Sequence, residues 1–452
     1  ALPLVVAGGR CALNPEPMAD FIDAYVLGDG EEPMLAVTEV VRRFKAAGGS
    51  RDDLLAALAR LPGVYVPSLY QVRYHGDGTV AAVEPQGGAP ARARRQRASR
   101  LPQGPLRPVV PYAQIMHDRA VLEVQRGIEV GCRCCQLGAE GRPALARGAG
   151  ETAALARELI ANTGYNELFL VAPTPVDGPT LLPTLQALKG QFGDWVTIAT
   201  PSLSVEGFGG ELAQALVSRG RNSIAFTPEA GSQRLRQVIN RPASDDEVLA
   251  VVETAFRYGF VSVRLHFKVG LPTETLDDVR ATGELAAQAR ALGRRYHGNR
   301  ARVRLGVTPF VPRPHTPFQW ACQETTEELA AKHELLKRAC RRAGVELSWE
   351  EESRSLLEAA LARGDRRLGA VVRRAWELGG RLDAWRELYQ WSRWEQAFTD
   401  ASLSPGFYAQ REPAPMEVLP WSHIDAGVDD GFLRAQWQKG LRGEVDKSSA
   451  SW

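Results

Sequence analysis

The 452-residue chain is 44% hydrophobic and 24% charged, proportions that are typical of folded globular proteins and exclude a largely disordered chain. Its 55 Lys and Arg residues nearly balance 53 Asp and Glu residues, for a net charge of +2, which excludes a uniformly basic nucleic-acid-binding protein but not a local basic patch. No apolar stretch reaches the roughly 18 to 20 residues that cross a bilayer, so we predict no membrane partner. With six cysteines and no export signal, we expect the chain in the reducing cytoplasm.

The first 85 residues predict part of an αβ sheet. The chain opens without Met on an apolar segment, so we expect an upstream segment to be missing. Apolar runs and turn residues predict a strand over 1–9, a helix after the Gly8-Gly9 turn and a strand over 24–27. They also predict helices over about 33–47 and 51–60 and a hairpin over 70–83. This set is too short for a complete doubly wound sheet. We therefore expect a truncated Rossmann-like αβ segment over 1–85.

Residues 86–110 change in composition to Pro, Gly and Ala, with arginines at positions 92, 94, 95, 97, 100 and 107. We favour the interpretation that this segment is a solvated, flexible linker between domains. The alternative is a nucleic-acid contact, since clustered arginines bind phosphates.

Strands and helices alternate over 111–345. The strand candidates are 120–124, 168–171, 196–199, 223–226, 261–269 and 303–307. Two of the intervening helices begin with a capping box, at Ser244 with Glu247 and at Thr275 with Asp278. Six βα repeats indicate a parallel sheet with right-handed crossovers, and six are too few to close an eight-stranded barrel. We predict an α/β fold with a partial (βα)6 barrel, whose site lies at the carboxyl ends of the strands.

Residues 346–440 predict a helical C-terminal annex, and a polar tail follows over 441–452. Six of the seven tryptophans over 346–440, at positions 376, 385, 391, 394, 421 and 437, indicate packed helices. Stacking of a tryptophan on a ligand is the alternative.

Three cysteines crowd together after the first barrel strand. Cys132 and Cys135 form a CxxC pair in a loop that contains Gly127 and Gly131. Two thiolates at this spacing suit zinc, an iron–sulfur cluster or a redox dithiol. Zinc needs a second pair of ligands, which the nearby sequence lacks. A thioredoxin-like motif usually begins a helix after a strand in a small domain, and this region is not a small domain. Buried thiols without a metal remain an alternative.

Longer strings carry a resemblance to a known family. The segment EVQRGIEVGCRCCQ (123–136) resembles the cluster loop of radical S-adenosylmethionine (SAM) proteins, whose motif is CxxxCxxC. Other strings resemble, in order, the motifs of an uncharacterised family that joins a cobalamin-binding-like domain to such a barrel. They are HDRA (117–120), FTPEAGSQRLR (226–236), GLPTET (270–275), PFVPRPHTPFQW (309–320) and LPWSHID (419–425). The resemblance covers essentially the whole chain.

The resemblance implies a [4Fe-4S] cluster held by three cysteines, with SAM on the fourth iron. Cys132 and Cys135 match the second and third cysteines of the motif, whereas Ile128 stands at the first position and cannot bind iron. Cys134 is a candidate third ligand, although its neighbour Cys135 strains simultaneous binding. We therefore expect a cluster of doubtful occupancy.

The resemblance also implies SAM contacts, each of which has an ordinary structural alternative. Glu229 would accept hydrogen bonds from the ribose, or serve as an acid at a helix N-terminus. Gly270, Leu271 and Pro272 would approach the adenine, or form a plain βα turn. The remaining candidates are Arg234 and Arg236 for the SAM carboxylate, Thr174 in the loop that contacts the amino group, and His315 facing the substrate.

By resemblance, the function is that of a radical SAM enzyme, which cleaves SAM to a 5′-deoxyadenosyl radical and abstracts hydrogen from a substrate that the sequence does not identify. Such an enzyme needs an electron donor such as flavodoxin or ferredoxin. The alternative is a cluster-deficient scaffold or binding protein, which could associate with RNA. Because the N-terminal segment is truncated, we expect no cobalamin binding.

Overall fold

The computed structural model describes residues 3–128, 131–173, 176, 178–217 and 222–446. Its strands are β1 (Val6–Gly8), β2 (Ala24–Val26), β3 (Val64–Tyr65), β4 (Tyr70–Tyr74), β5 (Val80–Pro85), β6 (Ala93–Arg94), β7 (Ala120–Glu123), β8 (Gln125–Arg126), β9 (Leu145–Ala146), β10 (Glu167–Val171), β11 (Thr197–Ala199), β12 (Ser223–Glu229), β13 (Ser262–Val269), β14 (Arg302–Pro309), β15 (Glu346–Trp349) and β16 (Ile424–Asp425). Its helices are α1 (Glu31–Ala47), α2 (Arg51–Leu58), α3 (Gln136–Glu140), α4 (Ala149–Thr163), α5 (Gly178–Phe192), α6 (Gly210–Leu216), α7 (Gln233–Val238), α8 (Asp245–Arg257), α9 (Leu276–His297), α10 (Thr326–Ala343), α11 (Glu352–Arg363), α12 (Leu368–Glu377), α13 (Trp391–Asp400), α14 (Pro405–Ala409) and α15 (Asp430–Leu441).

A small sheet with two helices forms the N-terminal part. β1 runs parallel to β2, and β3 runs antiparallel to β2. The helices α1 and α2 cover one face, where Val37 and Leu58 share a core cluster with Val26 and Val64. Both helices and the β4–β5 hairpin lie where the sequence predicts them. The helix predicted between β1 and β2 is replaced by two short 3₁₀ segments, Arg10–Leu13 and Glu16–Met18.

The arginine-rich segment 86–110, predicted as a flexible linker, is fastened to the rest of the molecule. Its strand β6 pairs in parallel with β16, near the other end of the chain. The backbone amide of Gln96 donates to the Leu27 carbonyl at 2.9 Å, and the backbone amide of Asp29 donates to the backbone carbonyl of Gln96 at 3.0 Å. Gly28 has φ +86°, and a Cβ there would lie 2.1 Å from the Gln96 oxygen, so this close approach requires glycine. Pairing between such distant segments leaves no local sequence signal.

The predicted open α/β barrel is confirmed, and it has a strand that the sequence did not predict. β7, β10 and β11 form one parallel sheet, and β12 to β15 form another. Leu203, which follows β11, bridges to Phe226 of β12 and joins the two sheets. The additional strand is β15, which pairs with β14 in a region that we expected to be helical. Its four residues are too few to show the period of a strand.

The barrel strands turn one face to the helices. On β13, Val263, Leu265 and Phe267 are buried in one core cluster with Val252 and Phe256 of α8. Burying a side chain of this kind stabilises a fold by about 1.5–3 kcal/mol. Alternate residues of a strand point to opposite faces, so the intervening residues lie on the inner face of the barrel.

Capping boxes begin several helices on the outer side of the barrel. Both predicted boxes are present, at Ser244 with Glu247 in front of α8 and at Thr275 with Asp278 in front of α9. Each satisfies two backbone amides that the first helical turn leaves unpaired. These boundaries are local properties, so the sequence alone was sufficient to place them.

The C-terminal annex consists of α11 to α15 and contains buried and exposed tryptophans. Trp394 and Trp421 are buried, whereas Trp376 and Trp385 are more than half exposed. Packing therefore explains the first two tryptophans and leaves the second two unexplained. Among the helices that the structure describes, none is long and apolar enough to span a membrane.

Candidate active site

The three clustered cysteines lie in a loop that is closed at its base. β8 pairs antiparallel with β9, so the two ends of the intervening loop meet. Gly127 has φ +79°, and a Cβ on it would lie 1.8 Å from the Gly141 oxygen. Beside it, the Ile128 amide donates to the Gly141 carbonyl at 3.2 Å. The backbone therefore closes the base of this loop, residues 127–144, which we call the cysteine loop; residues 129 and 130 of it lie outside the described residues.

We expect Gly127→Ala to open the cysteine loop. The added methyl group would collide with backbone, and the left-handed φ itself costs a non-glycine residue about 1–3 kcal/mol. Cys132 and Cys134, which are buried in the parent, should then react faster with a thiol reagent. Gly148→Ala is the control, since Gly148 has φ −63° and open space where its Cβ would lie. Equal labelling rates in parent and Gly127→Ala would contradict this expectation.

A buried arginine anchors the loop from inside. The Arg133 guanidinium is fully buried and donates to the carbonyls of Gln237, Val238 and Glu444 at 3.2, 3.0 and 2.7 Å. It also donates to the Gln436 amide oxygen at 3.2 Å. Burial lowers the pKa of Arg133 to about 10, so the group stays charged at neutral pH. Arg133 thus holds the cysteine loop between the end of α7 and α15.

The thiols of the loop are close together and shielded from solvent. Cys132 and Cys134 are buried with their Sγ atoms 3.4 Å apart, and Cys135 is half-buried. The hydrogen bond from Cys134 lowers the pKa of Cys132, and the same bond raises the pKa of Cys134. Burial raises the pKa of Cys135. The pair therefore favours a single thiolate, at Cys132.

An ion pair lies beside the thiols at the carboxyl ends of β12 and β13, which we call the barrel mouth. Glu229 is the last residue of β12 and has φ +71°. Its carboxylate accepts a hydrogen bond from the Lys268 ammonium of β13. Burial alone would lower the pKa of Lys268, but the Glu229 carboxylate and the negative charge of the neighbouring thiol pair raise it above its usual value. A permanent positive charge therefore faces the thiols.

Arg241 is a functional candidate that the sequence analysis missed. It follows α7, is 7% exposed, and feels the charges of Glu206, Cys132 and Glu229, which raise its pKa against the effect of burial. Its Nη2 lies 3.8 Å from the Glu206 carboxylate and makes no hydrogen bond with the residues that the structure describes. A buried donor without a partner is costly, so this guanidinium is suited to bind an anion. No local pattern separates Arg241 from the other arginines near α7.

The two arginines that the sequence proposed for the SAM carboxylate are occupied elsewhere. Arg236 is fully buried and pairs with Asp245, and its guanidinium also donates to backbone carbonyls just before α7. Arg234 pairs with Asp278 and donates to the Thr273 carbonyl at 2.8 Å. Both side chains thus hold loops around α7 and α9.

The other predicted contacts are placed as follows. Gly270 has φ +77°, and its amide donates to the Glu274 carboxylate at 2.7 Å. Leu271 is buried in one cluster with the thiols of Cys132 and Cys134, and Pro272 beside it is half-buried. This turn therefore reaches the site. Thr174 lies outside the described residues.

His315 serves the packing of the chain. The residue is buried, and its Nε2 lies 3.0 Å from the Leu13 carbonyl, to which it donates. Burial lowers the pKa of His315 to about 4, so the ring is neutral at pH 7. The interaction fastens the N-terminal part to the loop after β14.

The described side chains of the cysteine loop do not fit a cluster held by three cysteines. Each cysteine of such a cluster binds a separate iron, but Cys132 and Cys134 are in contact with each other. Ile128 is half-buried and offers no ligand atom. Among the described residues, no group of three His, Cys, Asp or Glu side chains is arranged to hold a metal ion.

Comparison with known sequence families confirms the predicted resemblance. Residues 122–286 match the family described as the radical SAM superfamily, and residues 1–67 match the family described as radical SAM proteins, N-terminal. The barrel and the cysteine loop thus define the class of protein. The chain belongs to the radical SAM superfamily.

Individual relatives are distant. An uncharacterized protein of Methanocaldococcus jannaschii is 24% identical over 370 residues, which cover 82% of this chain and 73% of that protein. The radical SAM methyltransferase TsrM of Kitasatospora setae, solved with cobalamin and a [4Fe-4S] cluster, is 16% identical with a TM-score of 0.47 over 72% of this chain. The cobalamin-dependent SAM radical enzyme OxsB is 9% identical with a TM-score of 0.43 over 88% of this chain. The chain spans 60% and 58% of the lengths of these two enzymes.

Proposed function

We propose that this chain binds S-adenosylmethionine at the barrel mouth and that Ile128 impairs its iron–sulfur cluster site. The observation that carries the proposal is the buried guanidinium of Arg241, whose Nη2 has no hydrogen bond to a described residue. SAM carries a carboxylate, which a guanidinium binds with charge-assisted hydrogen bonds. Membership of the radical SAM superfamily supports the same ligand.

The groups beside Arg241 fit the ribose and the adenine of SAM. The Glu229 carboxylate can accept hydrogen bonds from ribose hydroxyls. Gly270, Leu271 and Pro272 offer backbone groups and an apolar surface to the adenine. We assign the SAM carboxylate to Arg241 rather than to Arg234 or Arg236, because the latter two are already paired with aspartates.

The test is the affinity for SAM of the parent and of Arg241→Gln, measured by anaerobic equilibrium dialysis. A hydrogen bond to a charged group contributes about 1.5–3 kcal/mol, so the variant should bind about 10- to 100-fold more weakly. Arg234→Gln is the matched control and should bind as the parent does. Arg241→Lys keeps the charge and should recover part of the affinity. Absence of SAM binding by the parent would refute the proposal, and equal binding by Arg241→Gln would refute the assignment of the carboxylate.

A second candidate function is a cluster-deficient scaffold or binding protein. The contact between Cys132 and Cys134, together with Ile128, favours it. Association with RNA through the 86–110 arginines has less support, because Arg97 donates to the Pro143 carbonyl and Arg95 to the Ala426 carbonyl. Only the scaffold function predicts that no single change in the loop restores a cluster. An electron donor such as flavodoxin or ferredoxin is needed only if a cluster assembles.

We also propose that the N-terminal part does not bind cobalamin by itself. Ligands of open α/β sheets bind where the strand order reverses between parallel strands. In the described residues of this sheet, β1 and β2 are parallel and β3 is antiparallel. Tight binding of hydroxocobalamin in an equilibrium titration would contradict this proposal.

A further inference from the structure

The inner faces of β13 and β14 carry a row of basic side chains. Arg264, His266 and Lys268 alternate along β13, and Arg302 and Arg304 alternate along β14. The residues between them are buried against the helices. Because alternate residues of a strand share a face, all five point into the barrel.

The register brings like charges side by side. Arg264 lies opposite Arg304 on β14 and opposite Ala225 on β12. Like charges that face each other across neighbouring strands destabilise a sheet. Arg302 and Arg304 share the carboxylate of Glu346, at 3.2 and 2.8 Å. Arg264 makes no ion pair or hydrogen bond with the described residues, so no acidic side chain among them balances its positive charge.

The acidic side chains on the other barrel strands do not compensate Arg264. They are already paired: Glu123 with Arg126, Glu167 with Arg119, and Glu229 with Lys268. Burial and then the charge of Arg264 lower the pKa of His266. The inner face therefore has an excess of positive charge that the described part of the chain leaves unbalanced.

We propose that this basic row binds the phosphate-bearing end of the substrate, a small phosphorylated molecule whose other end reaches the barrel mouth. This inference rests on the proposed function. Lys268 at the mouth and Arg264 are four residues apart, which is about 13 Å along a strand. Guanidinium groups match the oxygens of phosphate in geometry and charge. The row occupies only two adjacent strands, which suits the phosphates of a small molecule better than the extended track of cations that a nucleic-acid strand requires.

The test is binding of inorganic tripolyphosphate to the full chain, measured by calorimetry. Arg264→Gln should weaken binding about tenfold, the effect of losing one charge-assisted hydrogen bond, and Arg264→Lys should retain most of it. Arg257→Gln is the matched control, because Arg257 is an exposed arginine at the end of α8 on the outer side. The melting temperature of Arg264→Gln should equal or exceed that of the parent, since a repulsion is removed.

Several outcomes would overturn the inference. They are no tripolyphosphate binding by the parent, an equal loss in Arg257→Gln, and tight binding of a 16-nucleotide RNA that tripolyphosphate does not displace. The tripolyphosphate test and the SAM test can fail independently of each other. Arg264→Gln should bind SAM as the parent does, and Arg241→Gln should bind tripolyphosphate as the parent does.

Discussion

Replacing Ile128 with Cys should raise the iron content of the reconstituted protein to about four atoms per chain and should produce 5′-deoxyadenosine from SAM under reducing conditions. The substitution supplies the first thiolate of the CxxxCxxC motif, which completes three cysteine ligands. It also removes an apolar group from a place where an anionic ligand should lie. Iron, sulfide and 5′-deoxyadenosine are measured for parent and variant after identical anaerobic reconstitution.

Ile128→Ser is the matched control, because it removes the apolar side chain without adding a thiolate, and it should behave as the parent does. If the parent already holds about four irons and cleaves SAM, then Cys134 or another group supplies the third ligand and our interpretation of residue 128 is wrong. If neither parent nor Ile128→Cys binds iron, the loop has diverged at more than one position. The scaffold function is then the better account of the chain.

Arg366→Met should destabilise the protein by about 3–5 kcal/mol, the usual cost of removing one partner from a buried ion pair. Arg366 lies just before α12 and donates to Glu16 at 3.0 Å, to the Tyr65 hydroxyl at 3.2 Å and to the Tyr70 carbonyl at 2.9 Å. Glu16 is 1% exposed and also accepts from Tyr65 at 2.5 Å. The free energy of unfolding is measured by urea titration with tryptophan fluorescence.

Arg373→Met is the matched control, because Arg373 lies within the adjoining helix α12 and its pair with Glu377 is exposed. Exposed pairs contribute about 0–1 kcal/mol, so this variant should unfold close to the parent. A loss below about 1 kcal/mol in Arg366→Met would show that the N-terminal part is not held by this network.

The same network predicts the pH dependence of stability. Burial alone would raise the pKa of Glu16, but His423 and Arg366 lower it below its usual value. A depressed carboxyl pKa stabilises the folded state above the unfolded pKa of about 4.3, and this stability is lost as pH falls through the folded pKa. Urea titrations between pH 7 and pH 3 should therefore show a smaller loss in Glu16→Gln than in the parent. Parallel pH profiles would contradict the role of Glu16.

The candidate site divides into residues that local patterns predict and residues that they do not. The CxxC spacing, the glycines of the loop and the acid at the end of β12 are visible along the chain. Arg241 and Lys268 are not, because a basic residue near a strand or helix end is ordinary until its partners are known. Conversely, Arg234 and Arg236 had a suitable position in the sequence, but tertiary pairing with Asp278 and Asp245 occupies them.

The sequence by itself determined the order of the six predicted barrel strands and of the helices between them, and the capping boxes of α8 and α9, because periodicity and caps depend on residues within one or two turns. It also determined that residue 128 is Ile, whose side chain offers no atom that can bind iron. Only the tertiary structure decided that segment 86–110 is fastened by β16, that Glu16 and Arg366 join the N-terminal part to the C-terminal annex, and that Arg264 lies beside Arg304 without an acidic partner among the described residues. These features arise from pairs that are far apart in the chain, and their free energy depends on burial and register, which local sequence patterns do not contain.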